Sequence, residues 1–563
     1  MPFSCRIRFN RSKEHKTPQM KLFRISILCI FVTGCTLAQR PEYTKQDTLR
    51  GSITPERAWW DLNFYDLNVR IEPDRHYISG SNIIRYTVLK PGQTLQLDLQ
   101  PPMVLKRVTQ DGKELQFSSG INAHFINLNK PQVTGDKNEL VAYFEGYPKV
   151  AQNPPWDGGF SWEQDPDGQP FVATSCQGLG ASVWWPNKDH LYDEVDSMDI
   201  RLTVPKALVG VSNGRLLGIE TGDRTRTFRW YVHNPINNYG VNANLAHYTH
   251  FESSYEGENG SLDLEYYVLP KNLKKAREQF KQVPAMLEAF EYWFGPYPFY
   301  EDSYKLVEVP YLGMEHQSST TYGNGYQNGY LGHDLSGTGW GLKFDFIIIH
   351  ESGHEWFGNS ITERDIADMW IHEGFAAYAE NLFLDYYYGK EASADYVIGT
   401  RSHIRNDRPI IGLYGVNQSG SNDMYYKGAN MLHTLRQLVD DDEKWRQILR
   451  GINRTFYHQT VSSRQIEDYM SEASGKDLKA FFDQYLRTTM IPVLEYRLEG
   501  KVLQYRYMDV VRGFDMPVRV TINGTEQWLY PKSEWQTKTL KQPNLKLEVD
   551  RNFYIESRKL ENT

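Results

Sequence analysis

The segment 344–380, which reads FDFIIIHESGHEWFGNSITERDIADMWIHEGFAAYAE, restricts the fold more than any other part of the sequence. It holds the pattern His-Glu-x-x-His at 350–354, directly after the apolar run 346–349. On a helix, residues four apart stack on one face, so the imidazoles of His350 and His354 can point at one metal ion. The pattern therefore predicts a metal-binding helix in the middle of the chain.

A catalytic zinc site needs a third protein ligand, and Glu373 is the candidate. It is separated from His354 by eighteen residues and lies in a second helical pattern, Ile366 to Tyr388, which could run back alongside the first. Three protein ligands leave a fourth position open for water. Glu351, turned by about 100° from the first ligand, can reach that water as a general base. We expect one Zn²⁺ per chain, although the ligand types also fit another divalent ion.

The residues around these ligands carry a family resemblance. Trp356, Gly358-Asn359 and the segment 370–376, WIHEGFA, together with His-Glu-x-x-His, eighteen residues and Glu, resemble the zinc aminopeptidases related to aminopeptidase N and the leukotriene epoxide hydrolase. The resemblance to these gluzincins runs from roughly Trp59 to Pro492. It implies a thermolysin-like, mainly α catalytic domain that removes N-terminal residues from peptides with a free N-terminus.

The same resemblance implies a donor for the oxyanion that forms when water attacks a peptide carbonyl. The segment 425–429, YYKGA, resembles the family pattern Y-x-K-G-A, in which the first tyrosine supplies that donor, so Tyr425 is the candidate. Glu380 lies two helical turns beyond Glu373 on the same face. It could orient a ligand histidine, or it could be an ordinary solvated carboxylate. His372 adjoins Glu373 and should point away from the metal.

Residues that recognise the substrate amine are also implied by the resemblance, and a buried cation calls for carboxylate or amide acceptors. The segment 312–316, LGMEH, resembles the family pattern G-x-M-E-N, which makes Glu315 the amine-binding residue, with Gly313 and Met314 beside the substrate. Leu312 and His316 depart from the pattern, which leaves the local backbone path open. Gln177, in the segment 175–177, resembles the family residue that also contacts the amine, although an ordinary loop amide would read the same way.

The pattern of apolar residues predicts an α+β chain of several domains. Apolar and polar residues alternate from Trp60 to about His250, which is typical of antiparallel strands, and helical periodicity then runs from about Asn272 to Arg487. Alternation returns after Pro492, for example at 518–522 and 545–549. We assign an N-terminal antiparallel β domain to 40–250, the catalytic domain to 251–490 and a small C-terminal β domain to 491–563. The stretch 153–168, rich in Pro, Gly and Asp, should be a loop.

Residues 1–39 are predicted to be an export signal. From Met20, the expected start, the chain reads MKLFRISILCIFVTGCTLAQ, a short basic region followed by an apolar run and small residues. Cleavage after Ala38 would release a protein into a bacterial periplasm. Two alternatives stay open: a lipoprotein of the cell envelope tethered through Cys35, and a retained membrane anchor. Only Cys176 survives cleavage after Ala38, so no internal disulfide is expected.

Charge argues against a nucleic-acid partner. The chain has a formal charge of −8, while residues 1–39 carry seven Lys and Arg against one Glu, which leaves about −14 on the remainder. An acidic body without basic clusters does not suit a nucleic acid.

The favoured function is a zinc aminopeptidase, with an endopeptidase, an epoxide hydrolase or a binding protein on a degenerate peptidase fold as alternatives. Many relatives carry a large helical domain after the catalytic part, where this sequence has a short β segment. We expect a more open cleft, less restriction on peptide length, or closure by a second subunit in a homodimer.

Overall fold

Strands dominate the first half of the protein. The computed structural model describes residues 43–541 and 546–561. A short helix, α1 (Lys45–Gly51), comes first. The strands that follow are β1 (Trp60–Glu72), β2 (Tyr77–Val88), β3 (Gly92–Asp98), β4 (Met103–Gln110), β5 (Lys113–Ser119), β6 (Ala123–Gln132), β7 (Lys137–Gly146), β8 (Gly159–Gln164), β9 (Pro170–Ser175), β10 (Ser197–Pro205), β11 (Val209–Val211), β12 (Arg215–Thr221), β13 (Thr225–Val232) and β14 (Asn244–Ala246).

Two sheets form this N-terminal part. The larger has the strand order β12-β13-β10-β1-β2-β7-β4-β5-β6-β3, and the smaller has the order β11-β14-β9-β8. In the larger sheet β1 and β10 run parallel, with Leu67 paired to Ile200, whereas β1 and β2 are antiparallel. Leu67, Val69 and Ile71 are buried, as the alternation predicts. The predicted β domain is confirmed, with one parallel pairing that alternation cannot reveal.

The prediction of a loop over 153–168 is wrong at 159–164, where strand β8 forms. β8 pairs antiparallel with β9, and the ring of Phe160 on β8 is buried. The Asp, Pro and Gly residues at 165–168 form the hairpin turn, where Asp165 Oδ1 accepts the backbone N–H groups of Asp167 and Gln169. Turn-forming residues on both sides of a short strand therefore concealed the strand.

The catalytic part begins with a second kind of sheet. Its strands are β15 (Thr249–Gly257), β16 (Gly260–Val268), β17 (Tyr304–Glu308), β18 (Gly313–Met314) and β19 (Thr320–Tyr322), in the order β15-β16-β17-β19-β18. The helices are α2 (Leu273–Gln279), α3 (Gln282–Phe294), α4 (Phe346–Gly353), α5 (Trp370–Tyr388), α6 (Lys390–Gly399), α7 (Tyr426–Val439), α8 (Asp442–Thr455), α9 (Ser463–Ser474) and α10 (Lys479–Arg487). Two short strands, β20 (Ile361–Glu363) and β21 (Gln459–Val461), pair in parallel beside them.

A C-terminal part of two small sheets follows α10. Its strands are β22 (Val493–Glu499), β23 (Val502–Met508), β24 (Val518–Ile522), β25 (Thr525–Leu529), β26 (Gln536–Thr539), β27 (Leu547–Val549) and β28 (Glu556–Lys559). The sheet orders are β26-β23-β22-β28 and β25-β24-β27. The alternation predicted at 518–522 and 547–549 corresponds to β24 and β27, while Leu545 lies outside the described residues. From Tyr43 onward the described chain is one compact unit.

The predicted export signal at 1–39, including Met20, Ala38 and Cys35, lies outside the described residues. Within residues 43–541 and 546–561, no helix combines the length and apolarity that crossing a membrane requires. Cys176 is buried and carries a free thiol.

Candidate active site

The helix that carries His-Glu-x-x-His is fixed at its first turn by Asp345. This residue is the N-cap of α4, and its Oδ1 accepts the backbone N–H groups of Ile347 and Ile348 at 3.1 and 3.4 Å. The same carboxylate accepts the Tyr322 hydroxyl and the Asn324 side-chain amide at 2.7 and 2.8 Å. Because Tyr322 ends strand β19, Asp345 ties the start of the helix to the neighbouring sheet.

The two helices of the site pack closely because Gly353 has no side chain. A Cβ atom at Gly353 would lie 3.2 Å from Ala379 Cβ and 3.5 Å from Ala376 Cα, both on α5. The helix α5 therefore runs close against α4, as the sequence predicted for the second helical pattern. This packing brings Glu373, in the first turn of α5, to the face of α4 that carries the histidines.

His350, His354 and Glu373 form one buried cluster whose ligand atoms all lie within 4.8 Å of one another. Glu373 Oε2 is 3.5 Å from His350 Nε2 and 3.5 Å from His354 Nε2. Two imidazoles and one carboxylate are the donor set of catalytic zinc sites. The arrangement of three protein ligands with room for a fourth that the sequence predicted is therefore present in the geometry.

Both imidazoles have their metal-facing nitrogen defined by a contact on the opposite side of the ring. His350 Nδ1 lies 2.7 Å from Glu380 Oε1, and His354 Nδ1 lies 3.0 Å from the Phe357 carbonyl. A carboxylate and a carbonyl only accept, so each Nδ1 donates a hydrogen bond, and each Nε2 is the ring nitrogen that faces the cluster and would bind a metal. Glu380 is buried and also accepts the Tyr396 hydroxyl at 2.5 Å. It is not a solvated helix carboxylate, which settles its environment.

Glu315 and Gln177 lie next to the cluster. The Gln177 side-chain amide donates to Glu315 Oε1 at 2.6 Å and to Glu373 Oε1 at 3.0 Å. Gln177 reaches the site from the N-terminal sheets, whereas Glu315 follows strand β18. A narrow cavity of about 60 Å³ is bounded by these residues, the cluster, Glu351 and Tyr425. All four predicted substrate-side residues, Gly313 and Met314 included, line this cavity.

Burial shapes the charge of the three glutamates. It raises the pKa of Glu351 to about 7, with the adjacent His350 opposing the rise. Burial also raises the pKa of Glu315, again against the effect of His354. At Glu373 the balance reverses: burial favours a higher pKa, but His354 and His350 together hold the pKa of this carboxyl well below its usual value. Glu373 is thus the carboxylate that stays ionised beside the imidazoles.

Tyr425 stands immediately before α7, and its ring is stacked on His350, with centroids 6.0 Å apart and planes inclined by 24°. Its place depends on a close contact between α5 and α7. A Cβ atom on Gly428 would lie 3.0 Å from Gly374 Cα, and one on Gly374 would lie 3.1 Å from the Met424 carbonyl oxygen. Burial and then the Glu373 carboxylate raise the pKa of Tyr425 well above its usual value, so the phenol keeps its proton.

The two departures from the family pattern beside Glu315 have a structural account. His316 is buried, and its Nε2 and Nδ1 lie 3.1 and 3.3 Å from the carbonyl oxygens of Thr174 and Gly240. Burial lowers the pKa of His316 to about 4, so the ring is neutral. At Gly313 a Cβ atom would lie 2.7 Å from Ile347 on α4, so a glycine is required where β18 approaches the zinc helix. The side chain of Leu312 is packed against the catalytic core.

His372 does not join the cluster. Its Nε2 accepts the backbone N–H of Glu363 at 2.8 Å, and burial lowers the pKa of His372 to about 3. The ring therefore faces away from the metal position, as its place beside Glu373 predicts.

Two residues of the site were missed by the sequence analysis. Pro155 and Trp156 belong to the loop before β8 and line both the narrow cavity and a wider adjoining cleft of about 320 Å³. The loop was recognised, but its position over the metal cluster depends on the packing of distant segments. The one available signal was a tryptophan in a stretch of turn-forming residues, where a large apolar side chain has no core to fill.

The mainly helical catalytic part, the β-rich part in front of it and the buried His-His-Glu set together define the fold and ligand set of a zinc metallopeptidase. Residues 278–485 match the peptidase family M1 domain. This part of the chain is a peptidase family M1 domain, homologous to aminopeptidase N and endoplasmic reticulum aminopeptidase 1. The family uses one zinc ion, and the residues present fit it, because two imidazole nitrogens and one carboxylate oxygen lie within 4.8 Å of one another.

Individual relatives support this assignment over part of their length. The chain is 26% identical to endoplasmic reticulum aminopeptidase 1 of Mus musculus over 224 residues, which cover 37% of this chain and 24% of that protein. It is 26% identical to aminopeptidase N of Lactococcus lactis subsp. lactis over 203 residues, which cover 32% of this chain and 23% of that protein. The matches thus span about a quarter of the length of these relatives.

The fold has a solved counterpart over most of the chain. The M1 zinc metallopeptidase from Deinococcus radiodurans is similar with a TM-score of 0.64 and 20% sequence identity, and the match covers 78% of this chain and 95% of that one. At this identity the likeness establishes the shared fold.

Proposed function

We propose that this protein is a zinc-dependent aminopeptidase that hydrolyses the first peptide bond of peptides with a free N-terminus. The observation that carries the proposal is the contact of Gln177 with both Glu315 and Glu373. Because one amide nitrogen makes both hydrogen bonds, the two glutamate oxygens lie no further apart than about 5.6 Å, the bonds laid end to end. An amine acceptor is thereby adjacent to a metal ligand.

That short separation favours cleavage after the first residue. In a peptide the α-amine and the first carbonyl carbon are joined through one Cα, by bonds of about 1.46 and 1.52 Å. An amine held by Glu315 and the Gln177 side-chain oxygen would leave only the first carbonyl beside the metal position. Glu315 is buried, so the charge-assisted bond to an ammonium group would be strong. A peptide with a blocked amine loses this hydrogen-bonded anchor, so the expected substrates are peptides with a free N-terminus.

Three groups supply the remaining chemistry. Zinc, when bound, acts as a Lewis acid that polarises a carbonyl and lowers the pKa of water. Glu351 is the general base that takes a proton from the attacking water and returns it to the leaving amine. Tyr425, which keeps its phenolic proton, donates a hydrogen bond to the oxyanion. A variant of the Deinococcus radiodurans enzyme was solved with a Tyr-Ser-Ala substrate, which supports a peptide as the ligand of this fold.

The test compares aminoacyl amides and short peptides, free and N-acetylated, with the wild-type protein and the Glu351→Gln and Glu315→Gln variants, each with its zinc content measured. We expect hydrolysis of free-amine substrates alone, a loss of kcat of at least about a hundredfold in Glu351→Gln with zinc retained, and a raised KM in Glu315→Gln. Equal turnover of acetylated and free substrates would show an endopeptidase instead. If the zinc-loaded wild-type protein hydrolyses none of these substrates, the proposed aminopeptidase activity is refuted.

A further inference from the structure

Trp156 is a large aromatic side chain without a packing role. It is 61% exposed, and within the described residues its ring makes no aromatic contact and its indole N–H has no hydrogen-bond partner. Exposed single aromatics are common on surfaces, but this one lines a functional cavity. Burying an aromatic side chain against a ligand recovers the cost of its exposure. Its position therefore needs an explanation that packing does not give.

The loop that carries Trp156 is held at its base. Asp157 Oδ2 accepts a hydrogen bond from the backbone N–H of Gln152 at 2.5 Å, and the Asp157 carbonyl oxygen accepts one from the Lys149 ammonium group at 3.3 Å. Gly158 packs against Leu179, since a Cβ atom there would lie 2.9 Å from Leu179 Cβ. Contacts on both sides of the tryptophan thus fix the loop backbone while the ring stays free to meet a ligand.

Two further aromatic side chains, Phe346 and Tyr330, line the wider cleft. Phe346 stacks on the metal-cluster residue His350, with centroids 5.0 Å apart and planes 12° apart, and Tyr330 meets Phe346 edge to face at 5.2 Å. Both rings and Trp156 line the cleft of about 320 Å³, a size within the range of small-molecule pockets, about 300–1,000 Å³. The cleft therefore offers the apolar surface of three aromatic rings to a ligand.

The position of the amine anchors decides which part of a peptide enters this cleft. Glu315 and Gln177 line the narrow cavity and not the wide cleft, whereas His350, Glu351 and Tyr425 line both. If the amine is held in the narrow cavity, the chain crosses the metal position into the wide cleft. The residue that follows the scissile bond then lies in the wide cleft, whose lining includes Trp156, Phe346 and Tyr330.

We propose, resting on the aminopeptidase function above, that Trp156 is a specificity-determining residue that forms, with Phe346 and Tyr330, a subsite for an apolar side chain on the second residue of the substrate. The preferred substrates are peptides whose second residue is aromatic or a large aliphatic. One methylene group more or less in an apolar pocket changes kcat/KM by about 10–200-fold.

The experiment measures kcat/KM for Ala-Phe-NH₂, Ala-Leu-NH₂, Ala-Gly-NH₂ and Ala-Asp-NH₂ with the wild type, Trp156→Ala and Trp156→Phe. Tyr530→Ala is the matched control, because Tyr530 is also 61% exposed but lies in the C-terminal part. We expect the wild type to prefer Ala-Phe-NH₂ over Ala-Gly-NH₂. Trp156→Ala should lower kcat/KM for Ala-Phe-NH₂ on the order of tenfold and that for Ala-Gly-NH₂ less than about twofold, and Trp156→Phe should restore most of the preference.

The outcomes separate this inference from the function on which it rests. If the wild type hydrolyses all four dipeptide amides at similar rates, or if Trp156→Ala changes all four by the same factor, the subsite is refuted and the aminopeptidase stands. If Tyr530→Ala has the same effect as Trp156→Ala, the change is unspecific and the subsite is again refuted. If none is hydrolysed by zinc-loaded wild type, the aminopeptidase fails and the subsite with it.

Discussion

Replacing Glu380 tests whether a residue that does not touch the metal controls its binding. Glu380 is 1% exposed, its Oε1 lies 2.7 Å from His350 Nδ1, and its Oε2 accepts the Tyr396 hydroxyl at 2.5 Å. The carboxylate therefore orients the His350 ring and makes the imidazole a better electron donor. Two substitutions divide these effects, since Glu380→Gln keeps the shape and loses the charge while Glu380→Ala loses both.

The structure sets the expected size of each effect. In Glu380→Gln the amide oxygen can still accept from His350 Nδ1, and the amide nitrogen can donate to the Tyr396 oxygen, so only the charge is lost; we expect zinc affinity to fall about tenfold. Glu380→Ala leaves the His350 N–H and the Tyr396 hydroxyl buried without partners, at about 1–3 kcal/mol each. We expect about a hundredfold weaker zinc binding and a free energy of unfolding lower by about 2–6 kcal/mol.

Zinc affinity is measured by competition with a chelator of known affinity, and unfolding by denaturant titration of the zinc-free protein. Tyr396→Phe should lie between wild type and Glu380→Ala in stability, because it removes one of the two contacts. Glu391→Gln, whose side chain is 91% exposed at the start of α6, is the matched carboxylate control and should leave zinc affinity unchanged. Zinc affinities of both Glu380 variants within threefold of wild type would refute the reasoning.

Two further substitutions test the packing that positions the site. Gly428→Ala should lower kcat about a hundredfold with zinc content unchanged, because its Cβ, 3.0 Å from Gly374 Cα, displaces the start of α7 and Tyr425. Gly218→Ala, in open space on β12, is the control. A wild-type kcat in Gly428→Ala would contradict the prediction. Asp345→Ala should lower the free energy of unfolding by about 3 kcal/mol, since a helix cap and buried donors lose their acceptor. Denaturant titration checks this value, and a loss below about 1 kcal/mol would contradict it.

The metal ligands could be predicted because their geometry is local. His350 and His354 share a helix face by virtue of their spacing, and the apolar run 346–349 that precedes them belongs to the same helix. Glu373 required one tertiary assumption, that the next helix returns alongside the first. Gly353 allows the two helices to approach closely. A single glycine in the sequence does not by itself predict such a helix contact.

The amine-side residues could be named from the resemblance but not placed. Gln177 comes from the N-terminal sheets and meets Glu315 across 138 residues of sequence, and no periodicity links such distant positions. The sequence left two environments open for Glu380, a ligand-orienting residue and a solvated carboxylate. The spacing from Glu373 places Glu380 on the same helix face in either case, so it does not distinguish them. The hydrogen bonds of Glu380 to His350 and Tyr396 decide for the first environment.

The sequence by itself determined the order of β, mainly α and β parts and the metal-binding helix with His350 and His354, because these depend on side-chain periodicity along single elements. The tertiary structure decided how the site is assembled: the parallel pairing of β1 with β10, the placing of Gln177 between two glutamates, and the position of Trp156 over the cleft. The physical reason is range. Periodicity follows from backbone geometry within one helix or strand, whereas these contacts join segments that approach only when the whole core packs.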